Sequence, residues 1–171
     1  LSRFAQCGNT LFYHAKGRLV AFDVAKNRSR ELPFESEIPY FSALTPDLVA
    51  LTDYNSQSYW FDFSHKKATR IDPRRHGISK GKNLLGITGA ASLGMGQYLV
   101  TSRLGLLVYD LPNDRFRREP IYAGGKPLEL EDFLMRVFVD ESGTVWAHNV
   151  NNIVAASSLQ QTLGLLRNHH Y

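Results

Sequence analysis

A chain of 171 residues with 43% hydrophobic side chains is long enough to bury a core of its own, which sets aside the disordered and peptide-like classes. Its single cysteine, Cys7, excludes an internal disulfide and a cysteine zinc cluster, and reads as a small apolar side chain. The net charge of +4 and the pI near 9.3 trace to one segment, so they do not define the whole surface.

From the N-terminus, Asn9 to Asp23 (NTLFYHAKGRLVAFD) reads as two short strands around a polar turn, followed by a polar strand at Arg28 to Pro33. Leu48 to Asp62 (LVALTDYNSQSYWFD) has the same form, and Ala68 to Ile71 follows it as the polar strand. From His65 to Lys82 the chain then carries seven Lys or Arg and one Asp. Such a run is an electrostatic footprint for a polyanion or the guard of an exposed strand edge. No aromatic interleaves with it to stack on bases, so the edge guard is favoured and no nucleic-acid partner is expected. Asn83 to Ser102 is 20 residues without a charge, but its four glycines and several hydroxyls make it a strand-turn-strand rather than a membrane span.

Gly96 to Asp110 (GQYLVTSRLGLLVYD) is the clearest copy of the frame, and Leu111 to Glu119 supplies its turn and polar strand. The apolar run Phe133 to Val139, a turn at Asp140 to Gly143, and Gly143 to Ser157 (GTVWAHNVNNIVAAS) form the last copy. Only the tail Ser157 to Arg167 offers a competing helix. The four frames end 39, 48 and 47 residues apart, the spacing of blades in a β-propeller. Phe12, Leu51, Leu99 and Trp146 share an aligned apolar column, expected between neighbouring blades, and Trp60 is likewise read as core. The expectation is therefore an all-β partial β-propeller of about four blades, each a four-stranded antiparallel sheet. It is one segment over 1–171 with repeats near 1–33, 34–75, 84–121 and 130–171. Fewer than four blades' worth of chain leaves blade faces bare, so a fragment of a longer chain or self-association through those faces is expected.

Catalytic and metal motifs are near misses. Ala90-Ala91-Ser92-Leu93-Gly94 lacks the first glycine and the strand-to-helix turn of a nucleophile elbow. The six histidines form no H-x-x-x-H pair, and Gly77 to Lys82 lacks P-loop spacing. Asp140 and Gly143 stand three apart, one too many for a sialidase-type turn. Neither a cofactor, a metal nor a catalytic residue is expected.

The frame, with its acidic turn, resembles the two-component regulator propeller repeat. Gly96, Gly105, Leu106, Tyr109 and Asp110 match it in the third copy, and Asp140, Gly143 and Trp146 in the fourth. The first two copies keep mainly Phe22-Asp23 and Phe61-Asp62. The resemblance implies a sensor and no enzyme: the periplasmic region of an inner-membrane hybrid two-component histidine kinase that responds to carbohydrate, partnered by the rest of the parent kinase. A protein-interaction module and a glycan-active propeller enzyme are the alternatives. Turns between second and third strands open on one face of a propeller. They place His14 and Lys16, Asp53 and Tyr54, Ser102 and Arg103, and His148 and Asn149 there. Asp53, Tyr54, Arg103 and His148 offer the hydrogen-bonding groups and aromatic ring that an oligosaccharide requires, and are the candidate ligand contacts.

Overall fold

A computed structural model describes residues 4–38, 40–78, 85–118, 121–123, 126–128, 136–142, 144–148 and 153–156. Every regular element among them is a strand. In chain order they are β1 (Phe4–Cys7), β2 (Thr10–Ala15), β3 (Arg18–Asp23), β4 (Arg28–Pro33), β5 (Tyr40–Ala43), β6 (Leu48–Thr52), β7 (Ser58–Asp62), β8 (Lys67–Arg70) and β9 (Gly89–Gly94). There follow β10 (Gln97–Ser102), β11 (Gly105–Asp110), β12 (Arg115–Arg118), β13 (Ile121–Ala123), β14 (Lys126–Leu128), β15 (Arg136–Val139), β16 (Val145–His148) and β17 (Ile153–Ala156). The uncharged stretch from Asn83 thus becomes β9 and β10, and no helix among the described residues is long and apolar enough to cross a membrane. The tail from Ser157, together with Asn149, His169 and His170, lies outside the described residues.

Consecutive strands pair antiparallel into sheets β1-β2-β3-β4, β5-β6-β7-β8 and β9-β10-β11-β12, each of four strands, and β15-β16-β17 of three. The hairpin β13-β14 has no counterpart in the sequence pattern. It comes between the third and fourth sheets in the chain, and β13 lies beside β17. The first strands of successive sheets touch one another, β1 to β5, β5 to β9 and β9 to β15, so the sheets stand side by side around a common axis.

One turn recurs where the third strand meets the fourth. Asp23, Asp62 and Asp110 each end a third strand, and their carboxylates accept the backbone N–H of Lys26, His65 and Asn113, three residues on. Four residues after each Asp stands a left-handed residue: Asn27 at φ 49°, Lys66 at 50° and Asp114 at 46°. The aromatic-Asp pair is therefore a strand end joined to a side-chain-closed turn. Asp62 feels opposing effects. Burial raises its pKa, but the N–H and ring of His65 outweigh this and hold the carboxyl below its ordinary value.

Three apolar layers fill the spaces between sheets. Phe12, Leu19, Ala21 and Leu32 of the first sheet meet Val49, Leu51, Phe61 and Phe63 of the second. On the second sheet's other face, Ala50 and Trp60 meet Val100, Leu107, Tyr109 and Phe116 of the third. Leu99, Leu106 and Val108 then meet Val145 and Ala147.

Phe12, Leu51 and Leu99 of the aligned column lie between neighbouring sheets as expected, though Leu51 does so on the other face, and Trp146 is the one correction. The Cα partner of the frame-ending Asp is Thr10 in the first sheet and Gln97 in the third, thirteen residues back, but Leu48 in the second, fourteen back. That extra residue puts Leu51 on the face toward the preceding sheet, whereas Phe12 and Leu99 face the following one. Trp146 is not core: it is 42% exposed on the face of the fourth sheet opposite buried Val145 and Ala147. Its indole N–H donates to Asp140 Oδ2 at 2.8 Å. Trp60 does pack as expected, stacked on Tyr109 with ring centroids 4.6 Å apart and 27° between planes.

Candidate functional site

Because first strands run in one direction around the axis, the turns between second and third strands share one end of the molecule with the connections that lead into each new sheet. At that end, between the first two sheets, is a cleft of about 240 Å³ lined by His14, Glu37, Ile38, Phe41 and Tyr54. His14 is the last-but-one residue of β2 and lies on the Phe12 face, toward the second sheet. Its Nε2 lies 2.8 Å from the carbonyl of Phe34, and the two rings meet edge to face. Phe34 in turn packs edge to face on Tyr59 and Phe61, which anchors the connection carrying Glu37 and Ile38. Tyr54, 64% exposed, sits at the rim of this cleft.

Asp53 is buried and closes its own turn. Its Oδ1 accepts the N–H of Gln57 at 2.9 Å, its carbonyl accepts that of Ser56, and Oδ2 lies 3.4 Å from the Tyr59 hydroxyl. Burial first, and then the Asp53 carboxylate, raise the Tyr59 phenol above its ordinary pKa. Asp53 thus closes the turn that carries Tyr54, and the cleft lining itself does not include it. Arg103 lies at the next junction. Its N–H donates to Leu85, and its side chain covers Gly86 so closely that a Cβ there would stand 2.8 Å from Arg103 Cγ. It does not line the His14–Tyr54 cleft. His148 ends β16, paired opposite Arg136 and Ile153. This cleft brings together Tyr54 and His14 from among the turn residues.

The first strands enclose a second space of about 180 Å³ on the axis. Gln6 comes from β1, Phe41 and Ser42 from β5, Gly89 from β9 and Arg136 from β15, with Thr88 just ahead of β9. Phe41 lines both spaces and joins cleft to axis. Sequence reasoning missed Glu37 and Arg136. Arg136 had a signal, as the one charge in the run Phe133 to Val139. Glu37 had none, since it lies in a connection without a motif. Among the described residues no cluster of His, Cys, Asp and Glu is arranged to hold a metal ion.

No protein-family profile matches the chain, and no curated protein sequence does. Solved structures resemble it in architecture. The β-propeller domain of Myceliophteria thermophila Cps50 (Swd1) superposes with a TM-score of 0.61 at 15% identity, over 89% of this chain and 52% of that one. The fold is a β-propeller. The extracellular domain assigned to the hybrid two-component system BT3049 of B. thetaiotaomicron gives 0.55 at 10% identity, over 86% of this chain and 20% of that one. The computationally designed Ika4 protein gives 0.54 at 11%, over 89% and 87%. The chain therefore spans about half of the Swd1 domain and a fifth of BT3049. At such identities the likeness carries architecture and leaves the ligand to the site's own chemistry. In propeller terms β1, β5, β9 and β15 are innermost, and the His14–Tyr54 cleft opens between the first two blades on the face that carries the blade-to-blade connections.

Proposed function

We propose that this propeller segment is the ligand-sensing part of an extracytoplasmic two-component signalling protein, and that its ligand is a carbohydrate held in the His14–Tyr54 cleft. The observation that carries the reading is that cleft. An exposed phenol ring, an imidazole and a carboxylate converge on about 240 Å³ beside the axis. Hydroxyl-rich ligands need this combination, a ring face for their C–H surface and paired donors and acceptors for their hydroxyls. The repeat-like motifs at Gly96 to Asp110, and the fold shared with the BT3049 extracellular domain, favour the sensor class and with it a periplasmic location. Arg103 and His148 are assigned to the same face as secondary contacts, and Asp53 as the support of Tyr54.

A sensor must pass the bound state on, which requires differential affinity for two arrangements of the assembly. We assign that assembly to self-association and to the rest of a parent kinase. Trp146 stands at the register position that Phe12 and Leu99 use to pack onto a following sheet, and with Phe138, 62% exposed, it forms an apolar cross-strand pair. The same pair favours a second reading, a propeller that only binds other proteins.

Isothermal titration against a panel of neutral and acidic oligosaccharides separates the two. The sensor reading predicts saturable binding that weakens at least tenfold in Tyr54→Ala and in His14→Ala. An absence of binding across the panel, or affinities indifferent to both substitutions, removes it in favour of the interaction module.

A further inference from the structure

Each junction between sheets packs the following face of one sheet on the preceding face of the next, and the outermost described sheets leave one face of each kind bare. The first sheet turns Phe12, Leu19 and Ala21 toward the second. Its opposite, preceding face carries the cross-strand pairs Leu11–Phe22 and Tyr13–Val20, with Phe4 paired beside Tyr13. Counted from the frame-ending Asp, the third sheet has Tyr98–Tyr109 and Val100–Leu107 at those register positions, and all four are buried under the second sheet. In the first sheet only Val20 is buried. Leu11, Tyr13 and Phe22 are half-buried, and Phe4 is 58% exposed. None of these five belongs to the three apolar layers between sheets. The fourth sheet shows the converse. Its Val145 and Ala147 meet the third sheet, while Phe138 and Trp146 stand paired and exposed on the following face, with no further sheet against them among the described residues.

We propose that a second copy of this chain covers both faces. The Phe138–Trp146 face of each copy seats on the Leu11–Tyr13–Phe22 face of the other, and two arcs close one ring. Two observations select this occupant. At all three internal junctions, what covers a following face is the preceding face of a sheet of this same pattern, and the first sheet carries a bare one. The arc also has the right extent: it superposes on 52% of the Swd1 β-propeller domain, so two copies supply about one ring. Four stacked sheets from each copy give eight, inside the roughly 4–8 blades that propellers adopt. The gain is the removal of Phe4, Phe138 and Trp146 from water, as the internal layers already do for their counterparts. Unlike faces meet in such a contact, and because each arc is about half a ring, it closes at two copies instead of growing into a filament. This inference rests on the self-association assigned above and names the surface that receives Trp146. The carbohydrate cleft takes no part in it, so either can fail alone.

The test is sedimentation velocity over a concentration series of the native chain, of Phe4→Asp, of Phe138→Asp, and of the two variants mixed in equal amounts. Both side chains are more than half exposed, so the far-UV circular dichroism of each variant should match the native spectrum. The native chain should form a dimer and nothing larger. Each variant alone should dimerise at least tenfold more weakly, because each of its two contacts then holds one altered face. In the mixture both altered faces fall in one contact and the other is native, so association should recover at least tenfold over either variant. A native chain that stays monomeric at every concentration overturns the proposal together with the self-association it rests on. A dimer that either substitution leaves unchanged, or a mixture no tighter than its components, overturns the contact between unlike faces while self-association stands. Species larger than a dimer overturn the closed ring.

Discussion

At the scale of single residues, the acidic side chains of this chain act mainly on their own backbone. Asp110 accepts both the N–H and the side-chain amide of Asn113, at 3.2 and 2.9 Å. Asp110→Ala should therefore lower stability by about 1–2 kcal/mol in urea denaturation, the worth of two modest hydrogen bonds, and an unchanged midpoint would refute the role. Asp140 is the most heavily bonded of the acids. The Ser142 hydroxyl first, then the Trp146 indole, hold its carboxyl down to about 2 against a burial effect that pushes up. The ordinary aspartate value is about 3.9, so the folded value is depressed. The stabilisation it gives is present above about pH 4 and is lost as pH falls through the folded value of about 2. The Trp146 indole N–H signal should move between about pH 4 and about pH 2 in the native chain and stay still in Asp140→Asn; a flat native titration contradicts the bond. These roles are legible in the sequence only as a pattern. The Asp at each frame end is visible, but its partner three residues on varies as Lys26, His65 and Asn113, because the backbone and not the side chain supplies the donor.

At the scale of elements, strand identity is readable because short apolar runs alternate with Gly, Asn and Asp turns, and because no run before Ser157 has helical spacing. Facing is harder. Leu51 lies between neighbouring sheets as its column implies, but on the opposite face from Phe12 and Leu99, since one added residue in the β6–β7 hairpin reverses the side of every position before it. Trp146 departs from the pattern for a different reason: its register is that of an inter-sheet residue, and its burial depends on whether another sheet covers that face, which no local pattern encodes. The candidate site divides in the same way. Tyr54 is legible as an exposed ring in a turn. Asp53 beside it reads as equally available, but its side chain turns back to close that turn. The junction between third and fourth sheets rests on a glycine. A Cβ at Gly89 would stand 2.9 Å from Thr101 Oγ1 and 3.1 Å from Arg136 Cα, leaving no room for a methyl between β9 and β15. Gly89→Ala should destabilise the chain by about 1–3 kcal/mol, the usual cost of overpacking, as read in urea unfolding. Phe61 is fully buried between the first two sheets, and Phe61→Ala should cost about 3–5 kcal/mol by the same measurement. A smaller loss for Phe61→Ala than for Gly89→Ala would mean that the inter-sheet layers are not what holds the sheets together.

At the scale of the whole molecule, stacking of sheets around an axis explains both what is buried and what is left open. Each inner face is covered by the next sheet, and the fourth sheet presents Phe138 and Trp146 outward. Phe138→Asp should reduce self-association in sedimentation velocity without lowering the unfolding midpoint; unaltered sedimentation coefficients across a concentration series would show that this face does not join copies. The axis and the cleft share Phe41, so a ligand held by His14 and Tyr54 touches a residue at the contact of first strands. In the proposed sensor, that shared residue would be the route from binding to a change in how sheets or copies pack.

The central claim is that the cleft between the first two sheets is where a carbohydrate binds. Its most direct test is an NMR titration of the ¹⁵N,¹³C-labelled chain with the tightest-binding oligosaccharide of the panel. Shifts concentrated at His14, Glu37, Phe41 and Tyr54, with the Trp60 indole unmoved, are the predicted result. Shifts that gather elsewhere while those four stay in place would contradict it.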